Sequence, residues 1–123
     1  MTAPDYHAAT LPWPPSVNTY WRHVGHKTLI SKKGREYRDQ VCALYGNREP
    51  LTGRVRVTVW AYMPDRRRRD LDNLLKAPLD AIAKAGWYLD DEQIDDLRIV
   101  RLPKDERGGR IDVRVEPITE ENQ

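Results

Sequence analysis

A single cysteine, Cys42, in 123 residues excludes an intrachain disulfide and leaves no cysteine framework for zinc. No motif around it supports a catalytic thiol, so it reads as a small buried apolar residue on a helix, in a reducing cytoplasm. No apolar run approaches the roughly 20 residues of a membrane-spanning helix, and the N-terminus lacks the basic-then-apolar order of a signal peptide. A soluble, untargeted chain without a membrane partner is expected. Repeats and low-complexity linkers are also missing, so 1–123 reads as one continuous domain with a core at about 10–116 and short flexible tails. Net charge is small as well: 21 basic against 19 acidic residues give +2, and bulk charge alone is weak support for a nucleic-acid partner.

What is present is unevenly distributed. Basic residues crowd 22–38, 54–69 and 98–114, whereas five acids fall within 90–96. The densest contrast is Pro64-Asp65-Arg66-Arg67-Arg68-Arg69-Asp70-Leu71-Asp72-Asn73-Leu74-Leu75-Lys76, four arginines set directly against an Asp-x-Asp pair. Arginines attract phosphate through charge and bidentate hydrogen bonds, while paired carboxylates repel it unless a divalent cation lies between them. The juxtaposition points to a metal-dependent site for a phosphodiester. Asp70, Asp72 and Asp91 are the candidate ligands of Mg²⁺, which keeps several waters and needs only two or three carboxylates. Lys76 is the candidate for orienting water or meeting charge that develops on phosphate, and Arg66, Arg67, Arg68 and Arg69 would position the backbone rather than read bases.

Local patterns give an α+β class. Residues 6–11 suit a strand, and the prolines after it force an extended path. Lys27–Ile30 suits a short strand, with Ser31 capping a helix at about 32–46 whose Tyr37, Val41, Leu44 and Tyr45 share a face. Val55, Val57, Val59, Ala61 and Met63 alternate with polar or aromatic neighbours, the period of a half-buried strand. Helical spacing follows through Leu71, Leu74, Leu75, Leu79 and Ile82, but Pro78 predicts a kink or a broken first segment. Strands at 97–102 and 110–116 complete a two-layer sandwich, a small mixed sheet with two helices on one face. Trp60 and Tyr62, on the other side, offer a surface for a second copy.

Each feature alone has an ordinary explanation. Asp-x-Asp near a helix start commonly caps it, four arginines commonly form a solvated face, and Asp90-Asp91 suits a turn. Lys76 pairs naturally with Asp72 or Asp80 at i,i+4. His23-x-x-His26 has only a fragment of metal-ligand spacing, and Trp13 among prolines suits local packing. A non-catalytic nucleic-acid-binding module, and a metal nuclease acting on flaps or single strands, are the competing readings.

The combination is more specific. Leu11-Pro12-Trp13-Pro14-Pro15-Ser16, the Met63-to-Leu74 segment, and Lys84-Ala85-Gly86 with Leu89-Asp90-Asp91 resemble the RusA family of Holliday-junction resolvases, over about residues 10–116. The resemblance implies an active site of Asp70, Asp72, Asp91 and Lys76. It implies a homodimeric crossover junction endodeoxyribonuclease that uses Mg²⁺, with Mn²⁺ as a substitute and no organic cofactor. Such an enzyme makes paired nicks across four-way DNA junctions in bacterial or phage recombination and repair. DNA contacts are expected from Trp13, Pro14, Pro15, Ser16, Arg66, Arg67, Arg68, Arg69 and Asn73.

Overall fold

Val55, Val57, Val59 and Ala61 have no solvent exposure, while Arg56, Trp60 and Tyr62 between them are half-buried on the opposite face, so the alternation at 55–63 does form a strand with one covered side. In the computed structural model, residues 6–119 are described; the outer parts of the expected tails, 1–5 and 120–123, lie outside the described residues. In chain order the elements are β1 (His7–Pro12), α1 (Val17–Tyr20), β2 (Trp21–Val24), β3 (Lys27–Ile30), α2 (Lys32–Tyr45), β4 (Val55–Tyr62), α3 (Lys76–Lys84), β5 (Ile94–Leu102) and β6 (Arg110–Pro117). Single 3-10 turns at Leu71–Leu74 and Asp91–Gln93 flank α3 and its return to the sheet.

The main sheet has the order β1-β6-β4-β5. β6 runs antiparallel to both β1 and β4, whereas β4 and β5 are parallel, a pairing that requires the crossover α3 supplies. The inner faces of β4 and β6 share one core cluster with Tyr37 and Val41 of α2 and Ala77, Ala81 and Ile82 of α3. β2 and β3 pair only with each other, as a separate hairpin. Its two-residue connection opens on Gly25 at φ 60°, the glycine position of a type II′ turn.

Four expectations are adjusted. Leu44 is 59% exposed: it lies on the last turn of α2, beyond the buried Gly34, Tyr37 and Val41, where Tyr45 holds the contact with the core instead. Cys42 is half-buried against the core rather than enclosed. Tyr62 is not an open docking aromatic, since the Arg110 guanidinium lies 3.7 Å from its ring centroid. The prolines at 12–15 stay non-helical, but the chain then forms α1 and β2, both too short for periodicity to reveal. The broken helix is observed: the turn at Leu71–Leu74 ends before α3 begins at Lys76. Pro78 is then the third residue of α3, where its missing N–H falls among donors that lack intrahelical partners in any case.

Candidate active site

The arginine loop leaves β4 at Met63 and doubles back on itself through Asp65. That carboxylate accepts the Arg67 backbone N–H at 2.9 Å and two guanidinium bonds from Arg69 at 2.6 and 3.1 Å. The Arg69 guanidinium also stands 5.6 Å from the centre of the Trp13 ring, and Arg101 of β5 donates to the Arg69 carbonyl. Hydrogen bonds from Arg69 hold the Asp65 carboxyl well below the usual carboxylate range, and the same pair raises the Arg69 guanidinium. Arg69 is therefore a half-buried strut, whereas Arg66, Arg67 and Arg68 are exposed. Gly109 is required at this corner: a Cβ there would sit 2.6 Å from the Pro64 Cβ.

Immediately after the strut comes Asp70. A groove of about 450 Å³ is lined by Trp13, Pro14, Ser16, Arg68, Arg69, Asp70, Asn73 and Leu74. Most of the residues singled out for DNA contact thus meet one of the candidate carboxylates in a single concavity, although they lie more than 50 positions apart in sequence. Pro15 faces a neighbouring groove with Lys33 and Glu36, and Arg66 lines another with Arg101 and Lys104. Ser16 is the N-cap of α1. Asp72 is exposed within the 3-10 turn. Lys76 starts α3 and does not ion-pair with Asp72 or Asp80: its ammonium lies 5.1 Å from the Trp21 ring centre, and Asp80 instead accepts the Tyr20 hydroxyl.

The acidic run at 90–96 is mostly spoken for by arginine. Arg54 binds Glu92 and Asp95, while Arg56 and Arg98 bind Asp96, holding the Asp96 carboxyl down at about 2 through hydrogen bonds from Arg98 and Arg56. Asp90 caps the second 3-10 turn in a capping box with Gln93. Asp91 differs from its neighbours. It is exposed and accepts one hydrogen bond, from the Tyr88 hydroxyl at 2.9 Å; burial, then the Asp91 charge, push the Tyr88 phenol up, so it stays protonated and donates.

Asp70, Asp72 and Asp91 have the hard oxygen donors that Mg²⁺ takes, and none is paired with arginine or lysine among the described residues. Their donor chemistry fits the cation. One chain does not gather them, however: among the described residues no group of three His, Cys, Asp or Glu side chains is arranged to hold a metal ion. Topology explains the separation. Asp70 lies beside the Arg69 carbonyl that Arg101 holds near the end of β5, whereas Asp91 precedes Ile94 at its start. Tyr88 tethers Asp91 near the Leu79 carbonyl of α3, whereas Asp70 and Asp72 lie before α3 begins.

The sequence around this site matches a family model described as "Endodeoxyribonuclease RusA" over residues 12–116. The chain belongs to the RusA family. A crossover junction endodeoxyribonuclease RusA of Escherichia coli strain K12 is 46% identical over 112 residues, covering 89% of this chain and 92% of that protein. A protein of the same name from Enterobacteria phage 82 is 47% identical over 113 residues, with the same coverage; another from Escherichia coli O139:H28 is 42% identical over 118, covering 94% and 98%. All candidate catalytic and DNA-contacting residues lie inside the RusA match, and the chain is an endodeoxyribonuclease.

Four supporting residues of this candidate site carry little signal of their own in the sequence, because they act through others. Asp65 and Arg101 fix Arg69, Tyr88 holds Asp91, and Gln93 fixes the turn beneath it. The Gln93 amide is buried and fully engaged, accepting from the backbone N–H groups of Leu89 and Asp90 and donating to the carbonyls of Leu51 and Gly53. Asp90-x-x-Gln93 is a capping-box pattern that was available to find it.

Proposed function

We propose that this nuclease resolves four-way DNA junctions by paired, symmetric nicks, acting in recombination and repair in the cytoplasm of a bacterium or of a phage-infected cell. The observation that carries this reading is the groove joining Asp70 to Trp13, Pro14, Ser16, Arg68, Arg69 and Asn73, in a chain whose relatives are named crossover junction endodeoxyribonucleases. Phosphate enters against Arg66, Arg67 and Arg68, which offer exposed cations for the backbone. Arg69, tied to Asp65, sets the orientation of the groove wall. Asn73 and Trp13 line the same concavity and fix the strand within it. Lys76 offers a proton-bearing ammonium to the phosphate oxygen as its charge grows in the transition state.

Asp70, Asp72 and Asp91 would hold Mg²⁺, or Mn²⁺ in its place, with no organic cofactor. When bound, the cation supplies an activated water and neutralises the non-bridging oxygens. Since one folded domain does not gather the three carboxylates, the working unit is a homodimer in which Asp91 of one copy approaches Asp70 and Asp72 of the other. Two-fold symmetry also suits a four-way junction, giving each of two opposed strands its own site.

The test is cleavage of an end-labelled synthetic four-way junction beside its duplex control, with Mg²⁺ or EDTA and with Asp70→Asn in parallel. Junction-specific, symmetry-related nicks should disappear in EDTA and in the variant, which should still bind the junction because a repelling carboxylate has been removed. Tight binding without cleavage under any metal would overturn the proposal.

A further inference from the structure

We propose that the β2–β3 hairpin is a DNA-gripping arm that engages the branched substrate beside the active site. The proposal rests on the junction-nuclease reading and deepens it by assigning a further surface to the same substrate.

The hairpin is built to project. Its four-residue strands pair Trp21 with Ile30, Arg22 with Leu29, His23 with Thr28 and Val24 with Lys27, and every residue from 22 to 29 is exposed. A two-stranded hairpin has little stability of its own in water, so its root must be held by the body of the protein. That root is densely tied. Ser31 donates its backbone N–H to the Tyr20 carbonyl at 2.8 Å and its hydroxyl to the Thr19 carbonyl at 2.6 Å, and Arg35 donates to the Ile30 carbonyl at 3.0 Å. Gly34 of α2 lets this junction close, since a Cβ there would lie 2.8 Å from Ile30 and 3.0 Å from the Tyr20 carbonyl oxygen.

Alternation divides the hairpin into two faces. Trp21, His23, Thr28 and Ile30 share one, on which Trp21 meets the Lys76 ammonium and His23 contacts Thr28 at 3.3 Å. Arg22, Val24, Lys27 and Leu29 share the other. That face sets two cations beside two apolar side chains, Val24 at 44% and Leu29 at 46% exposure. Residues 21–35 contain Arg22, Lys27, Lys32, Lys33 and Arg35 without one acid, and among the described residues Arg22 and Lys27 have no carboxylate partner, in contrast to the paired arginines of β4 and β5.

The charge complements phosphate, and the apolar pair complements sugars and unstacked bases, the surfaces a branch point exposes and a continuous duplex covers. Because Trp21 at the root touches Lys76, DNA gripped by the arm is held in register with the catalytic lysine. His23-x-x-His26 thereby belongs to a turn carrying cations rather than to a metal site.

The test measures equilibrium binding of the full-length protein to a four-way junction and to a duplex, in EDTA, across a salt series. Arg22→Gln with Lys27→Gln should lower the slope of log affinity against log salt by about 1.8 for each bound protomer, so by about 3.6 for a dimer that sets both arms on the junction, at about 0.9 per phosphate contact. Lys84→Gln, at the far end of α3, should leave the slope as it was. Val24→Ser with Leu29→Ser should keep the slope and lose at least fivefold of the junction-over-duplex preference. All four positions are exposed, and an unchanged melting temperature certifies the fold. Wild-type slope and preference in both double variants would overturn the proposal. Failure of the wild-type protein to cleave the junction in Mg²⁺ would instead strike the nuclease reading, since the slope comparison is read without catalysis.

Discussion

Four identical side chains in a row invite a uniform reading, but environment separates them. Arg66, Arg67 and Arg68 face solvent, whereas Arg69 is locked between Asp65 and Trp13 and carries the backbone from which Asp70 departs. Arg67→Ala should therefore remove one phosphate contact from each protomer, lowering the salt slope of junction binding by about 0.9 per bound protomer and sparing the melting temperature. Arg69→Ala removes a two-pronged partner from Asp65 and should cost on the order of 1 kcal/mol of stability, discounted for partial exposure. Single-turnover cleavage at saturating protein should fall more than binding does, because Asp70 loses its support. Arg69→Lys should not rescue the rate, as an ammonium cannot reproduce the planar two-bond geometry. Equal losses in binding for Arg67→Ala and Arg69→Ala, with equal rates, would return Arg69 to the general basic patch.

At the level of elements, the 3-10 turn Asp91–Gln93 depends on one amide. Gln93→Leu conserves bulk but strands two backbone donors and two carbonyls, a change expected to cost about 1–3 kcal/mol. Thermal unfolding should shift downward on the order of 5–10 °C, and cleavage should fall further than for an exposed neighbour such as Glu92→Gln. An unmoved melting curve would mean that water replaces the amide. This turn also shows what was legible beforehand. β4 and β6 could be read because alternating valines dictate a buried face, and the interruption before α3 could be read because Pro78 cannot extend a helix toward Asp70. The hairpin partner Trp21–Val24 and the single turn of α1 were not, since four residues carry no usable period. Leu44 misled because it lies on the last turn of α2, where Tyr45 rather than Leu44 meets the core. Asp70, Asp72, Asp91 and Lys76 were legible as a candidate set from residue types and spacing, while their relative placement was not, because it depends on β5 pairing parallel to β4.

That parallel pairing has its largest consequence for the whole molecule. If Asp91 acts with the carboxylates of its own chain, the turn must leave its tether beside Leu79 and shift toward Asp70 and Asp72; if it acts with a partner's, the sheet can stay as it is. Mixed dimers distinguish these arrangements. Asp70→Asn and Asp91→Asn proteins are each expected to be inactive alone. When equal amounts are unfolded together and refolded, half of the dimers contain one chain of each kind. In a shared-site dimer, one site collects both substitutions and the other collects neither, so cleavage should return at about one quarter of the wild-type number of sites. It should return as single nicks, since only one of the two opposed strands meets an intact site. In a dimer of self-contained sites every site keeps one substitution, and mixing restores nothing. Denaturing gels of an end-labelled junction read the difference directly, with the wild-type protein taken through the same refolding as the measure of recovered sites.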